Sequence, residues 1–207
     1  MTLVKICGIT NLADALAAVE AGADMLGFNF YRRSPRYIEP DVARLIIDAV
    51  PKDVVSVGVF VNQPLAEADR IASETGIRIL QLHGDESPEY CAALKANGCQ
   101  VMKVFNSGEN FNAKFIGDYQ VDLVMLDAAA GGIRGGTGQL SDWSQASEVR
   151  ELFPQMFLAG GLSPENVSAA IEAVQPFGVD ACSSLELGPG KKDHARVDAF
   201  VAAVRAA

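Results

Sequence analysis

The chain has only two histidines in 207 residues, His83 and His194. A metal centre built on imidazole needs several of them converging, so no metal site is expected. Its four cysteines, at 7, 91, 99 and 182, include no Cys-x-x-Cys pair. That excludes a zinc ribbon, a thioredoxin-type redox motif and the dense disulfide framework of a small secreted domain. No apolar run approaches the ~18 residues that suggest a membrane span. The N-terminus enters a strand almost at once and lacks the charged, apolar, small-residue order of a signal peptide. A reducing cytoplasm is the expected location. Basic residues are in deficit, 17 Lys and Arg against 26 Asp and Glu, for a net charge of −9. Such a balance disfavours nucleic acid or an acidic membrane as a partner. A phosphorylated small molecule stays open, because a few backbone N–H groups bind phosphate locally.

What is present is globular: 49% hydrophobic and 21% charged residues, in a length that fits a single domain over 1–207. Short runs rich in Val, Ile, Leu and Phe alternate with Ala-rich amphipathic stretches. Strands are expected at 3–7, 25–30, 54–61, 78–83, 100–105, 121–127, 156–160 and 179–183. Helices are expected at 11–22, 39–50, 64–76, 87–98, 143–152, 163–174 and 193–207, with a weaker pattern over 109–117. The stretch 11–22 shows the logic. Leu12, Ala15, Leu16 and Val19 share one helical face, and Gly22 ends it. Eight strand–helix repeats imply parallel strands with right-handed crossovers, an α/β chain closed into a single-domain (β/α)8 TIM barrel. No linker or low-complexity tract interrupts them. No long exposed apolar run demands an obligate protein partner.

In a barrel of this kind the loops at the C-terminal ends of the strands carry the active site. After the seventh strand, "LAGGLSPENV" (158–167) places Gly160 and Gly161 where backbone can approach a ligand. After the eighth, "CSSLELGPG" (182–190) places Ser183 and Ser184 beside them. Loops 7 and 8 commonly bind phosphate in this fold, although Gly-Gly alone also satisfies a plain tight turn. A second Gly-rich stretch, "GGIRGGTG" (131–138), lacks the GK[ST] of a nucleotide P-loop and reads either as a lid or as a flexible loop. Cys7 in "KICGIT" and Asp127 in "VMLDA" end the first and sixth strands and should face the barrel mouth. A thiol there is either a small buried hydrophobe or a reactive group. His83 in "QLHGDE" is an alternative base or a structural histidine, and Asp180 is a further secondary candidate. Arg36 in "RRSPRY" is placed to grip a carboxylate in bidentate fashion, or lies solvated.

Taken together, "KICGIT", "GADMLGFNFYRRSPRYI", "VGVFVN", "LQLHGDE", "VMLDA" leading to "GGTG", "LAGGLSPENV" and a closing Ser-Ser-x-x-Glu resemble the phosphoribosylanthranilate isomerase family. The resemblance runs in order from residue 3 to about 194. It implies a cofactor-free (β/α)8 enzyme of tryptophan biosynthesis. The implied reaction is the Amadori rearrangement of an aminoaldose phosphosugar to the corresponding 1-deoxyribulose 5-phosphate ketose. It further implies Cys7 as general base, Asp127 as general acid, Arg36 on the anthranilate carboxylate, and Gly160, Gly161, Ser183 and Ser184 around the phosphate. That assignment needs thiolate and protonated carboxyl together, the reverse of their intrinsic order and ~6 kcal/mol uphill if nothing shifts either group. Lys5 and Lys103 are candidate sources of positive potential for the thiolate.

One departure stands out: Cys182-Ser183-Ser184-Leu185-Glu186 occupies the place of the family's Ser-Ser-Gly-Val-Glu. If residue 184 needs positive φ, Ser is disfavoured there; otherwise its hydroxyl is a possible extra phosphate donor. Three competing readings remain. A ribulose-phosphate epimerase needs a His/Asp metal site that two distant histidines supply poorly. An indole-glycerol-phosphate synthase would rest on Lys5, Lys103 and Glu186. A non-catalytic phosphometabolite-binding barrel has no need of both Cys7 and Asp127.

Overall fold

The computed structural model describes residues 1–109, 111–127 and 143–207. The Gly-rich stretch 131–138, read above as a lid or a flexible loop, lies outside the described residues. Eight parallel strands close into a barrel in chain order. They are β1 (Leu3–Cys7), β2 (Met25–Asn29), β3 (Val55–Phe60), β4 (Ile79–Leu82), β5 (Gln100–Asn106), β6 (Leu123–Asp127), β7 (Met156–Ala159) and β8 (Gly178–Ala181). Around them lie α1 (Leu12–Ala21), α2 (Pro40–Ala49), α3 (Leu65–Thr75), α4 (Pro88–Ala96), α5 (Ser144–Leu152), α6 (Val167–Val174) and α7 (His194–Ala206). The expected (β/α)8 barrel is therefore the observed fold. Among the described residues no helix is long and apolar enough to cross a membrane.

The strands are covered on both faces, which is why they read as apolar runs and not as alternating ones. One core lies between strands and helices and includes Ile6, Phe28, Leu80, Leu126 and Leu158. A second fills the barrel interior with Met25, Val57, Ile79, Met102, Met125 and Phe157. Because side chains alternate along a strand, β1 sends Leu3, Lys5 and Cys7 to the same side. β8 pairs with β1 in the register Leu3↔Gly178, Val4↔Val179, Lys5↔Asp180, Ile6↔Ala181. Two charged residues thus face each other halfway up the barrel, one layer below the mouth.

Helix boundaries follow local chemistry. The Asn11 side chain accepts from the Asp14 N–H at 2.9 Å and opens α1, and Gly22, at φ 101°, closes it. Ser87 and Pro88 open α4 in the same way. Two expectations need correction. The helix expected from residue 163 begins only at Val167, because 163–166 form a turn in which the Asn166 side chain accepts from the Ser163 N–H at 2.8 Å. The stretch 109–117 yields only a short 3-10 helix, Ala113–Asp118, with Asn112 capping it. Beyond β8 the chain adds a 3-10 turn, Ser183–Leu185, and a small hairpin, β9 (Glu186–Gly188) with β10 (Lys191–Lys192).

Candidate active site

The C-terminal ends of the strands surround a cavity of about 300 Å³. Cys7, Arg36, His83, Asp127, Gly160, Gly161, Asp180, Ser183 and Ser184, all singled out from the sequence, line it, while Lys5, Lys103 and Glu186 do not. Its wall also includes Asn29, Gln81 and Cys182, which sequence reasoning did not select.

The seam between β1 and β8 is the most charged part of the interior. Lys5 is fully buried, with its Nζ 2.6 Å from Asp180 Oδ1. Burial alone would lower the Lys5 ammonium, but Asp180 and Cys7 together hold it above the ordinary lysine range. One layer higher, the Cys7 thiol lies beside Cys182. That neighbour, with the positive charges of Lys5 and Lys192, holds Cys7 well below the ordinary thiol range even though burial opposes it. Cys182 is pushed the other way, first by Cys7 beside it and then by burial, so Cys7 is the more acidic of the two sulfurs. Burial also pushes the Asp180 carboxyl up to about 7, against the pull of Lys5. Two acidic groups share the Lys5 ammonium, and burial sets the Asp180 carboxyl apart from Cys7 by raising it while Cys7 is lowered.

Lys103 does not join this cluster, contrary to the expectation from sequence. Its Nζ lies 3.1 Å from Glu86 Oε2 and 2.7 Å from the Gly84 carbonyl, with the Leu82 and Val104 carbonyls at 3.3 and 3.2 Å. Lys192 takes the place foreseen for it. Buried in the β10 hairpin, Lys192 reaches the Cys182 carbonyl at 3.2 Å and Glu186 Oε1 at 3.1 Å. Nothing in the polar string "GKKDH" signals that burial.

Across the mouth, Asp127 ends β6 with Oδ2 3.9 Å from His83 Nε2. Burial lowers the His83 pKa, with Asp127 pulling it back only in part, so the imidazole is largely neutral at pH 7. Gln81 lies in the cavity wall at 1% exposure. Its Nε2 contacts Met125 Sδ at 3.6 Å, while its Oε1 is buried without a hydrogen-bond donor. An orphaned buried acceptor facing a cavity marks a place where a ligand hydroxyl or amine is expected to donate.

Arg36 is bidentate, but to a carboxylate of the protein itself. Its Nε lies 2.8 and 3.0 Å from the two Glu186 oxygens and its Nη2 2.6 Å from Oε2. Glu186 also accepts from Lys192, and the two cations keep it below the usual carboxylate range despite burial. Gly8 explains the close fit. At φ +79°, a Cβ there would stand 2.8 Å from Arg36 Cδ and 2.9 Å from Cys182 Sγ.

On the opposite rim, Gly160 and Gly161 adopt φ of 93° and 68°, a backbone path that L-residues seldom take. The Asn166 amide donates to the Gly161 carbonyl at 3.0 Å and braces the turn. Ser184 is not in the positive-φ region, so the strain feared at that position is absent. Its hydroxyl donates to the Leu162 carbonyl and ties loop 8 to loop 7, a different use from the extra phosphate donor considered above. The Ser184 carbonyl in turn accepts from Arg196 Nε at 2.6 Å.

Comparison with known proteins bears on all of this. Residues 4–203 match the model of the N-(5'-phosphoribosyl)anthranilate (PRA) isomerase family. The N-(5'-phosphoribosyl)anthranilate isomerase of Geobacter metallireducens is 45% identical over 206 residues, covering all of both chains. The crystal structure of the phosphoribosyl anthranilate isomerase of Thermotoga maritima superimposes with a TM-score of 0.91 at 40% identity, again over the full length of both. A phosphoribosyl anthranilate isomerase in complex with reduced 1-(o-carboxyphenylamino)-1-deoxyribulose 5-phosphate fits with a TM-score of 0.89 at 40% identity and the same full coverage. The match in sequence runs through every strand end that builds the cavity, and this chain belongs to the N-(5'-phosphoribosyl)anthranilate isomerase family.

Proposed function

We propose that the chain converts N-(5-phosphoribosyl)anthranilate to 1-(2-carboxyphenylamino)-1-deoxyribulose 5-phosphate, with Cys7 as general base and Asp127 as general acid. The observation that carries the residue roles is the lowered thiol of Cys7, held above a buried lysine at one side of a cavity whose other side bears Asp127. The carboxyl of Asp127 protonates the furanose ring oxygen. The C1–O bond then breaks as the anilino nitrogen lone pair forms the iminium. The Cys7 thiolate removes the C2 proton, and the electron pair left behind moves through C1 to nitrogen, giving an enolamine. Protonation at C1 and loss of the enol proton complete the ketose. C1 is reduced as C2 is oxidised, so the reaction is redox-balanced within the substrate and calls for no cofactor.

Binding follows the two rims. With its Nε/Nη2 edge committed to Glu186, Arg36 offers the Nη1/Nη2 edge to the anthranilate carboxylate. The phosphate lies between Gly160-Gly161 and Ser183-Ser184, where loops 7 and 8 and a short helical turn meet. Gln81 Oε1 accepts from a ribose hydroxyl. A phosphosugar is the partner, and four free thiols suit a reducing compartment such as the cytoplasm.

Turnover of freshly generated substrate, followed as loss of anthranilate fluorescence, tests the reading. The parent is expected to turn over without added metal, and Cys7→Ser to lose at least ~10²-fold in kcat, as removal of a general base does. Full activity in that variant moves the base elsewhere, with His83 next in line. An inert parent that still binds the reduced product analogue would leave only a binding protein.

A further inference from the structure

Cys182 transfers no proton in that mechanism, yet it lies beside the thiol that does. The register between β1 and β8 runs to Ile6↔Ala181, and Cys7 and Cys182 are the next residue of each segment, both in the wall of the cavity. Neighbouring strands run about 4.8 Å apart, inside the Cα···Cα range of roughly 4.4–6.8 Å that a disulfide spans. Both thiols are free, both line the cavity, and Cys182 lies near enough to depress the Cys7 thiol. The glycine at position 8 leaves Cys182 Sγ the room it occupies beside β1.

We infer that Cys7 and Cys182 form a peroxide-reactive pair in which Cys7 is the attacking sulfur and Cys182 resolves it to a disulfide. The co-reactant is a small hydroperoxide entering through the substrate cavity. The Cys7 thiolate attacks one oxygen of hydrogen peroxide and the O–O bond breaks. Hydroxide leaves and picks up a solvent proton, and the sulfur, oxidised by two electrons, becomes a sulfenic acid. The Cys182 thiol then gives up its proton as its sulfur attacks the Cys7 sulfur. The S–O bond breaks, the departing hydroxide takes that proton as water, and the S–S bond remains. One peroxide is reduced to two waters for each disulfide.

Direction and selectivity come from the surroundings. Lys5 and Lys192 favour the thiolate on Cys7, the form that attacks peroxide. Cys182 keeps its proton, as a resolving thiol should until a sulfenic acid appears beside it. The other two thiols are built to stay inert: burial pushes Cys91 up to about 11, and burial with Asp69 beside it also raises Cys99. The disulfide takes the base out of use but returns it on reduction, whereas an unpaired sulfenic acid goes on to sulfinic acid, which thiols do not reverse.

The test exposes the full chain to a small excess of hydrogen peroxide and reads intact mass and cysteine-linked peptides. This readout does not depend on the proposed activity, so it separates failure of this inference from failure of the isomerase reading. The expected result is a loss of two hydrogens, one crosslinked peptide pair containing Cys7 and Cys182, and reversal by dithiothreitol. Turnover should fall and recover in step with the crosslink. In Cys182→Ser the same treatment should add oxygen to Cys7 and leave an inactivation that dithiothreitol does not reverse. Direct oxygenation of Cys7 in the parent, a crosslink through Cys91 or Cys99, or reversible inactivation of Cys182→Ser would each overturn the inference.

Discussion

Of the three lysines buried against carboxylates near the mouth of this barrel, Lys103 and Lys5 do different work. Lys103, on β5, is enclosed by four oxygens, three carbonyls and Glu86 Oε2. Glu86 in turn accepts from the backbone N–H of Asn62 at 2.8 Å and of Gly84 at 3.0 Å. The ammonium has an acceptor for each of its three donors and Glu86 is held by two backbone N–H groups as well, so this pair pins loops 3 and 4 to β5. Lys5, on β1, has far fewer partners: Asp180 at 2.6 Å and, above it, the thiol of Cys7. Its charge is left largely uncompensated by dipoles and is felt by a group that changes protonation. A buried lysine whose hydrogen bonds are all answered by the scaffold supports structure. One left beside a titratable neighbour tunes chemistry.

Removing each ammonium breaks the comparison, and the larger effect falls on the structural side. Lys103→Met leaves Glu86 buried and unpaired, which costs about 3–5 kcal/mol of folding stability. Denaturant unfolding measures it. Adding Glu86→Gln to the same chain should recover much of the loss, because a neutral amide no longer needs the cation. If the single variant unfolds like the parent, the Lys103 cluster is not the staple described here.

Lys5→Met should reverse the pattern. Asp180, already up at about 7, can take a proton when its cation goes, so the stability cost is smaller than for Lys103→Met. The cost appears in catalysis. Without Lys5 the Cys7 thiolate loses the stronger of the two positive charges acting on it, and the acid limb of kcat/KM against pH moves up. A rise of one pH unit leaves ~10-fold less thiolate at pH values below the limb. An unchanged limb with a large loss of stability would make Lys5 a second staple.

Much of this was legible in the sequence because both layers of the fold leave period and run-length signals. The eight strands are continuous apolar runs, and every expected site residue except Arg36, in the loop after β2, lies close to the C-terminal end of a strand, where barrel topology delivers it to one cavity. The electrostatics were harder to read. Lys5 and Asp180 are 175 residues apart and Arg36 and Glu186 150 apart, and closure of the barrel brings the two ends of the chain together. No local pattern distinguishes Lys5 from Lys103, since both are single cations inside apolar strands. The same closure brings Cys182 to Cys7 and folds Lys192 inward, and it places Ser184 in a 3-10 turn where its Cβ is no burden.

The finest distinction lies within the Lys5 cluster itself, between the two anions that share its charge. Asp180→Asn removes the competitor and keeps the shape. Two readouts follow with opposite signs. In the parent, the raised Asp180 carboxyl means that the folded chain holds a proton which the unfolded chain releases between about 4 and 7. Its contribution to stability is therefore full at low pH and declines as pH rises towards about 7. Asn has no such proton, so the slope of stability against pH across that window should become more positive in the variant. In catalysis, Lys5 is left with Cys7 alone, and the acid limb should shift downward by a fraction of a pH unit. A limb that moves up would mean that Asp180 serves the thiolate chiefly by holding the Lys5 ammonium in place, making it a positioning residue and not a rival for the charge.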